Sequence, residues 1–183
     1  MIKISNRYFE NKIILIKNKK FLDSRGYFLE SFNLKNFNNK FKKIKFVQDN
    51  FSFSKKKFTL RGLHYQKQPF AQKKLIQVLR GKIIDIVVDI NPKSKNFGTY
   101  KKFLLSATNC NMLFIDDSFA HGFCTMEENT LVHYKVNKYY NKNSEKTISW
   151  NDQTLKIEWP KTNIKFNISK KDKKGESFKK LFL

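Results

Sequence analysis

The sequence is poor in the residues that brace or bend a chain: two cysteines, three prolines, three histidines and six glycines among 183 residues. Cys110 and Cys124 are too few for a disulfide framework, so they read as two reduced thiols of a cytoplasmic protein. So little Pro and Gly excludes Pro-rich and Gly/Ser linkers, and no fixed-period repeat is present. Long apolar runs are missing. Stretches such as Ile13–Ile16 and Ile86–Val88 fall far short of the roughly 20 residues that span a bilayer. Met1–Lys20 lacks the apolar centre, about 7 residues or more, of a secretory signal. Arginine is scarce too. Only Arg7, Arg25, Arg61 and Arg80 stand among 38 Lys and Arg, against 15 Asp and Glu, for a net charge of +23.

That charge first points to nucleic acid or a membrane surface. Phosphate and base recognition, however, favour arginine as well as lysine. The lysines are scattered in runs such as Lys17–Lys20, Lys55–Lys57 and Lys170–Lys174. Lys, Asn, Ile and Phe are abundant and Ala is rare, at three, the bias of an AT-rich coding sequence. We therefore read much of the +23 as drift onto solvated positions and expect no specific nucleic-acid partner. Hydrophobic residues at 40% and aromatics at 15% exclude a disordered chain. The length fits one domain, 1–183, hiding roughly 70% of its unfolded surface.

Short β-rich segments recur about every ten residues, closed by polar or turn residues. Examples are Lys12–Lys17, Tyr27–Phe32, Ile44–Phe53, Lys74–Leu79, Ile83–Ile90, Lys102–Leu105, Met112–Ile115, Gly122–Met126 and Leu131–Val136. Arg80–Gly81–Lys82 reads as a tight hairpin. Ile84, Ile86, Val88 and Ile90 form an apolar face, with Asp85 and Asp89 on the other. Helix signals are confined to Leu34–Phe41 and Glu176–Leu183. Many short strands without interleaved helices predict an all-β sandwich or jelly-roll barrel, wide enough to hold a small ligand.

The three histidines are His64, His121 and His133. None has a second His two residues away, so the strand-borne pair that metal-binding barrels use is missing and no metal is expected. His64 lies in Arg61–Gly62–Leu63–His64–Tyr65–Gln66. Strict alternation sets Arg61 opposite His64. Both reach one cavity only if the strand is bent, and Gly62 makes a bulge cheap. His121, between the core candidates Phe119 and Phe123, reads equally as a loop histidine or a ligand donor. Tyr134 shares a face with Val132 and Val136, so its hydroxyl needs a partner or a polar cavity. Lys74 shares a face with Ile76 and Val78, and an inward lysine is unusual unless paired or functional. A β-barrel carrying Lys, His, Tyr and Arg suits proton transfer beside a carbonyl, and suits an anionic ligand equally well.

The order and spacing of several motifs resemble the dTDP-4-dehydrorhamnose 3,5-epimerase family. They run Phe21–Phe28 with Glu30, Gln48–Asp49–Asn50, RGLHYQ at Arg61–Gln66, Gln72–Leu75, VVDI at Val87–Ile90 and FAHGF at Phe119–Phe123. Tyr134, Tyr139, Glu145, Trp150–Asp152, Ile157–Pro160 and Ser169–Asp172 follow. The resemblance covers nearly the whole chain. It implies a cupin-type jelly roll (a double-stranded β-helix with short flanking helices), a homodimer, no metal, no organic cofactor and no membrane partner. The implied reaction inverts carbons 3 and 5 of dTDP-4-dehydro-6-deoxyglucose, giving dTDP-4-dehydro-L-rhamnose for dTDP-L-rhamnose biosynthesis.

By the same resemblance His64 matches the general base and Asp172 the carboxylate that orients its ring. Lys74 matches the cation beside the developing enolate, and Tyr134 the acid on the opposite face. Arg25, Glu30, Gln48, Asn50, Arg61, Lys74, His121, Glu145 and Lys170 match substrate-contacting positions. Tyr139, followed by Tyr140, matches the ring that stacks on thymine. One departure stands out: the family's Ile-Pro-x-Gly before FAHGF is here Ile115–Asp116–Asp117–Ser118, a turn without its Pro and Gly, in which Asp117 can supply the turn through its side chain. The rival expectations are an epimerase of one centre or of another nucleotide sugar, and a cupin-like binding barrel without turnover.

Overall fold

A computed structural model describes residues 2–39, 41 and 44–183. In it, alternating apolar residues build two stacked antiparallel sheets. The strands in chain order are β1 (Ile2–Tyr8), β2 (Ile13–Asn18), β3 (Phe21–Asp23), β4 (Gly26–Phe28), β5 (Gln48–Ser54), β6 (Thr59–Gln66) and β7 (Lys74–Arg80). Then come β8 (Lys82–Asp89), β9 (Tyr100–Ser106), β10 (Met112–Ile115), β11 (Phe119–Thr125), β12 (Thr130–Val136), β13 (Glu145–Thr147) and β14 (Asn167–Ile168). Three short helices are α1 (Leu34–Asn38), α2 (Lys170–Lys173) and α3 (Phe178–Phe182). One sheet runs β1-β2-β10-β7-β12-β5 and the other β13-β6-β11-β8-β9, with β14 parallel to β6; β3 and β4 form a separate ribbon. This is the expected cupin-type jelly roll, with its two sheets packed face to face.

Period-2 alternation sorts each strand between an inner and an outer core. Ile13, Ile76, Val78, Leu113, Ile115 and Val132 of the first sheet meet Ile83, Val87, Phe103, Leu105, Phe119 and Phe123 of the second. Their in-between neighbours Ile14, Ile16, Leu75, Met112 and Phe114 point outward and are roofed by Phe37 and Phe41. The outer face of the second sheet (Leu63, Tyr65, Ile86, Val88, Ala120) is covered by Ile148, Leu155 and Phe178. Cys110 and Cys124 are both buried free thiols.

Some expectations needed correction. Arg80–Gly81–Lys82 is not a hairpin, because β7 and β8 belong to different sheets. Gly81, at φ +80°, turns the chain across the sandwich, and a Cβ there would lie 2.4 Å from Thr130 Oγ1. Asp85 and Asp89 do lie on the face opposite Ile84, Ile86, Val88 and Ile90, but that face, shared with Ile83 and Val87, packs against the first sheet, so they are buried at 0% and 1% exposure. The helix expected at Leu34–Phe41 spans only Leu34–Asn38, and Lys40 lies outside the described residues. Asn33 caps it, its side chain accepting from the Asn36 amide. The strand expected from Ile44 begins at Gln48.

Candidate active site

A cavity of about 510 Å³ opens between the sheets. Its walls come from both. The first sheet contributes Lys74 on β7, Tyr134 on β12 and Ser52 on β5; the second contributes Arg61 and His64 on β6, His121 and Phe123 on β11 and Glu145 on β13.

β6 makes the site possible. His121 pairs with His64 but Phe123 pairs with Arg61, so β6 spends one extra residue against β11. Gly62, at φ +109°, sits in that bulge. The extra residue reverses the alternation, which is the bend that lets both Arg61 and His64 line the cavity. A Cβ on Gly62 would lie 2.7 Å from Gly122 Cα and from His121 O, so glycine is required there.

Beyond the bulge β14 runs beside Leu60 and leads into α2. Ser169 caps this helix by accepting from the Asp172 amide at 3.0 Å. The buried Asp172 is thereby set against β6, and its Oδ1 lies 2.6 Å from His64 Nε2. Its Oδ2 accepts from the Gly62 amide at 3.4 Å. Burial raises the Asp172 pKa, but the hydrogen bond and charge of His64 outweigh it and hold the carboxyl below its ordinary range. An ionised Asp172 only accepts. His64 therefore carries its proton on Nε2 and leaves Nδ1 as the basic nitrogen, a tautomer fixed by the bonding network.

Asp85, on β8, is a buried carboxylate behind the cavity wall whose partnership with His121 and Lys74 the sequence did not announce. Its Oδ2 lies 2.7 Å from His121 Nε2, and its Oδ1 has no hydrogen-bond partner among the described residues. Desolvation pushes its pKa up, opposed by His121 and Lys74. Desolvation also depresses His121, despite Asp85. Lys74 is pushed down to about 8 by burial, with Asp85 and Glu145 pulling the other way. The signal in the sequence was an acidic residue inside an otherwise apolar strand, which costs too much to bury without a cationic partner.

Glu145 holds the cavity mouth. It accepts from the Tyr140 hydroxyl at 2.8 Å and pairs with Lys171 Nζ at 2.5 Å. Tyr140 and Lys171 line the cavity, whereas Tyr139 and Lys170 are exposed and off its wall. Gln48 and Asn50 bond each other on β5, also outside the lining. Arg25 stands on the β3–β4 turn, paired with Asp23 at 2.7 Å. Glu30 accepts from Asn33 and Asn36. Of the residues named from the sequence, His64, Asp172, Lys74, Tyr134, Arg61, His121 and Glu145 thus converge on one cavity, and Arg25, Glu30, Gln48, Asn50, Tyr139 and Lys170 stand around or away from it. No group of three His, Cys, Asp or Glu arranged to hold a metal occurs among the described residues.

Residues 11–180 match the family model of dTDP-4-dehydrorhamnose 3,5-epimerase. The Shigella flexneri protein of that name is 43% identical over 167 residues, 91% of each chain. A crystal structure of the Bacillus anthracis epimerase with TDP and PPi bound superposes with a TM-score of 0.93 at 40% identity, covering 97% of this chain and 100% of that one. A Legionella pneumophila epimerase in complex with dTDP-4-keto-L-rhamnose gives 0.91 at 37%, covering 97% and 93%. Fold, motif order and likeness along nearly the full length agree, and the chain belongs to the dTDP-4-dehydrorhamnose 3,5-epimerase family of isomerases.

Proposed function

We propose that the cavity epimerises carbons 3 and 5 of dTDP-4-dehydro-6-deoxyglucose by two rounds of deprotonation and reprotonation, without metal or organic cofactor. The observation that carries this reading is that His64 and Tyr134 enter one cavity from opposite sheets. Inverting a carbon requires proton removal on one side of the ring and delivery on the other. His64, oriented by Asp172, is the base. Tyr134 is the acid. Burial raises its pKa while Arg61 pulls it down, so it holds its proton at neutral pH. The carbons on either side of the ketone delocalise their carbanions onto one oxygen, so one cation, Lys74, serves both steps.

Arg61, with a guanidinium able to grip two oxygens, takes the diphosphate. We assign thymine stacking to Tyr140, which lines the cavity, rather than to Tyr139. Arg25, Glu30, Gln48, Asn50 and Lys170 remain proposed substrate contacts from outside the wall, joined by Lys171. The chain works as one domain, 1–183, in the cytoplasm and as a homodimer.

Incubation with dTDP-4-dehydro-6-deoxyglucose in heavy water, followed by NMR, tests the reading. Deuterium is expected at both carbons with inverted configuration. Deuterium at carbon 3 alone makes the chain a single-centre epimerase, and none at either carbon leaves a binding barrel. In Tyr134→Phe, inversion should fall further than exchange, because His64 can return a proton to the side it came from. Equal losses remove Tyr134 from the acid role.

A further inference from the structure

The turn between β10 and β11 carries the chain from the sheet holding Lys74 to the sheet holding His64 and His121. It reads Asp116–Asp117–Ser118, with neither a proline to fix φ nor a glycine to allow a left-handed turn. Both carboxylates are turned on one amine. Lys73 Nζ bonds Asp116 Oδ2, and it lies 3.2 Å from Asp117 Oδ1. The Ser118 hydroxyl donates to Asp116 Oδ1 at 3.2 Å. The turn is anchored at each end, by the Asp116 amide on Lys12 O at 3.0 Å and by the Ile90 amide on Ser118 O at 3.1 Å.

Lys73 directly precedes Lys74. Its main chain is held by Asn137: its amide donates to Asn137 Oδ1 at 2.7 Å and its carbonyl accepts from the Asn137 amide at 3.4 Å. Lys74 itself sits in register between Ile115 and Val136. The Lys73, Asp116 and Asp117 side chains keep 24%, 21% and 21% of their exposure. The cluster is therefore shielded well enough to hold a geometry, unlike a fully exposed surface pair.

We propose that Lys73, Asp116 and Asp117 form an ionic clamp that positions Lys74, locking the start of β7 to the crossing between the sheets so that the amine stays at its depth in the cavity. The three are positioning residues. They are absent from the cavity wall and act through the backbone shared by Lys73 and Lys74. The inference rests on the epimerase reading for its kinetic consequence, but not for its structural one.

Lys73→Met and the double variant Asp116→Asn/Asp117→Asn cut the clamp from opposite sides, while Lys73→Arg keeps it. Two readouts are taken. One is steady-state turnover of dTDP-4-dehydro-6-deoxyglucose. The other is the pH midpoint of acetylation at Lys74 with acetic anhydride, followed by peptide mass spectrometry, which needs no turnover. The charged and titratable groups lining the cavity with Lys74 are Arg61, His64 and Tyr65 on β6, His121 on β11, Tyr134 on β12, Tyr140, Glu145 on β13, and Lys171 and Asp172 on α2; the buried Asp85 on β8 acts on its charge from behind the wall. All are intact in every variant.

With the clamp cut, Lys74 gains water. Its midpoint, expected in the wild type near the value of about 8 to which burial lowers the amine, should rise by about one unit or more. The kcat should fall on the order of tenfold at unchanged KM, as a misplaced group costs the chemical step rather than binding. Lys73→Arg should match the wild type in both readouts. An unmoved midpoint in both cut variants overturns the clamp. Midpoints moving in opposite directions also overturn it, since that marks a charge effect rather than a positional one. A wild type without turnover would end the epimerase reading, and the acetylation midpoints would still decide the clamp. Lys73→Gln replaces any variant whose circular dichroism departs from the wild type.

Discussion

The basic nitrogen of His64 is defined by its neighbour: Asp172 accepts at Nε2, so Nδ1 is the nitrogen that serves as base in the proposed reaction. His64→Ala should lower kcat about 100- to 10,000-fold while circular dichroism stays unchanged. A variant keeping more than about a tenth of the wild-type rate would show that the base lies elsewhere. Lys74 makes a second prediction. Its amine, pushed down to about 8 by burial, is charged at neutral pH and discharges just above it. Turnover should therefore fall as pH rises through about 8. Stability should move the other way. Above that value the folded chain binds fewer protons than the unfolded one, whose lysines titrate near 10.4, so stability rises with pH across this window. A pH–rate profile and urea melts over the same range check both signs. An alkaline limb that persists in residual Lys74→Met activity would assign the titration to another group.

Among the strands, β6 contributes the most residues to the cavity wall. Its bulge depends on Gly62, whose φ of +109° and 2.7 Å Cβ approaches to β11 leave no room for a side chain. Gly62→Ala should cost on the order of 1–3 kcal/mol from the backbone conformation alone. It should also depress turnover by twisting Arg61 and His64 out of their shared cavity. Urea denaturation and kinetics check this, and a variant with wild-type stability would mean that β6 bends by other means. This bulge was legible in the sequence, because Arg61 and His64 have opposite parity and one of the two residues between them is a glycine, Gly62. Alternation likewise placed Lys74 and Tyr134 inward. What alternation cannot encode is partnership. Gly81 turns the chain whether the next strand pairs or crosses, so the crossing to β8 read as a hairpin. Asp85 looked like the polar side of β8 because nothing local announces a sheet covered on both faces. The four-residue α2 is too short for periodicity. Its mark was the spacing Ser169-x-x-Asp172, a capping pattern that also delivers the His64 partner.

At the scale of the whole molecule, apolar surface is left over. The β3–β4 ribbon exposes Phe21, Leu22, Tyr27 and Phe28, and the edge strand β5 exposes Phe51 and Phe53, at 47–79% of their full area. Monomers rarely leave large aromatic patches to water, and among the described residues β5 is unpaired on one side. Light scattering should return about twice 21.9 kDa; a monomer at micromolar concentration would contradict the dimer. The two thiols have a practical consequence. Cys110 and Cys124 are both buried, and desolvation pushes Cys124 up to about 12. Neither competes for a soluble alkylating dye. A single cysteine introduced on the exposed β3–β4 ribbon would thus be a unique labelling point in the otherwise native chain, and a fluorophore there would report on whatever covers that ribbon.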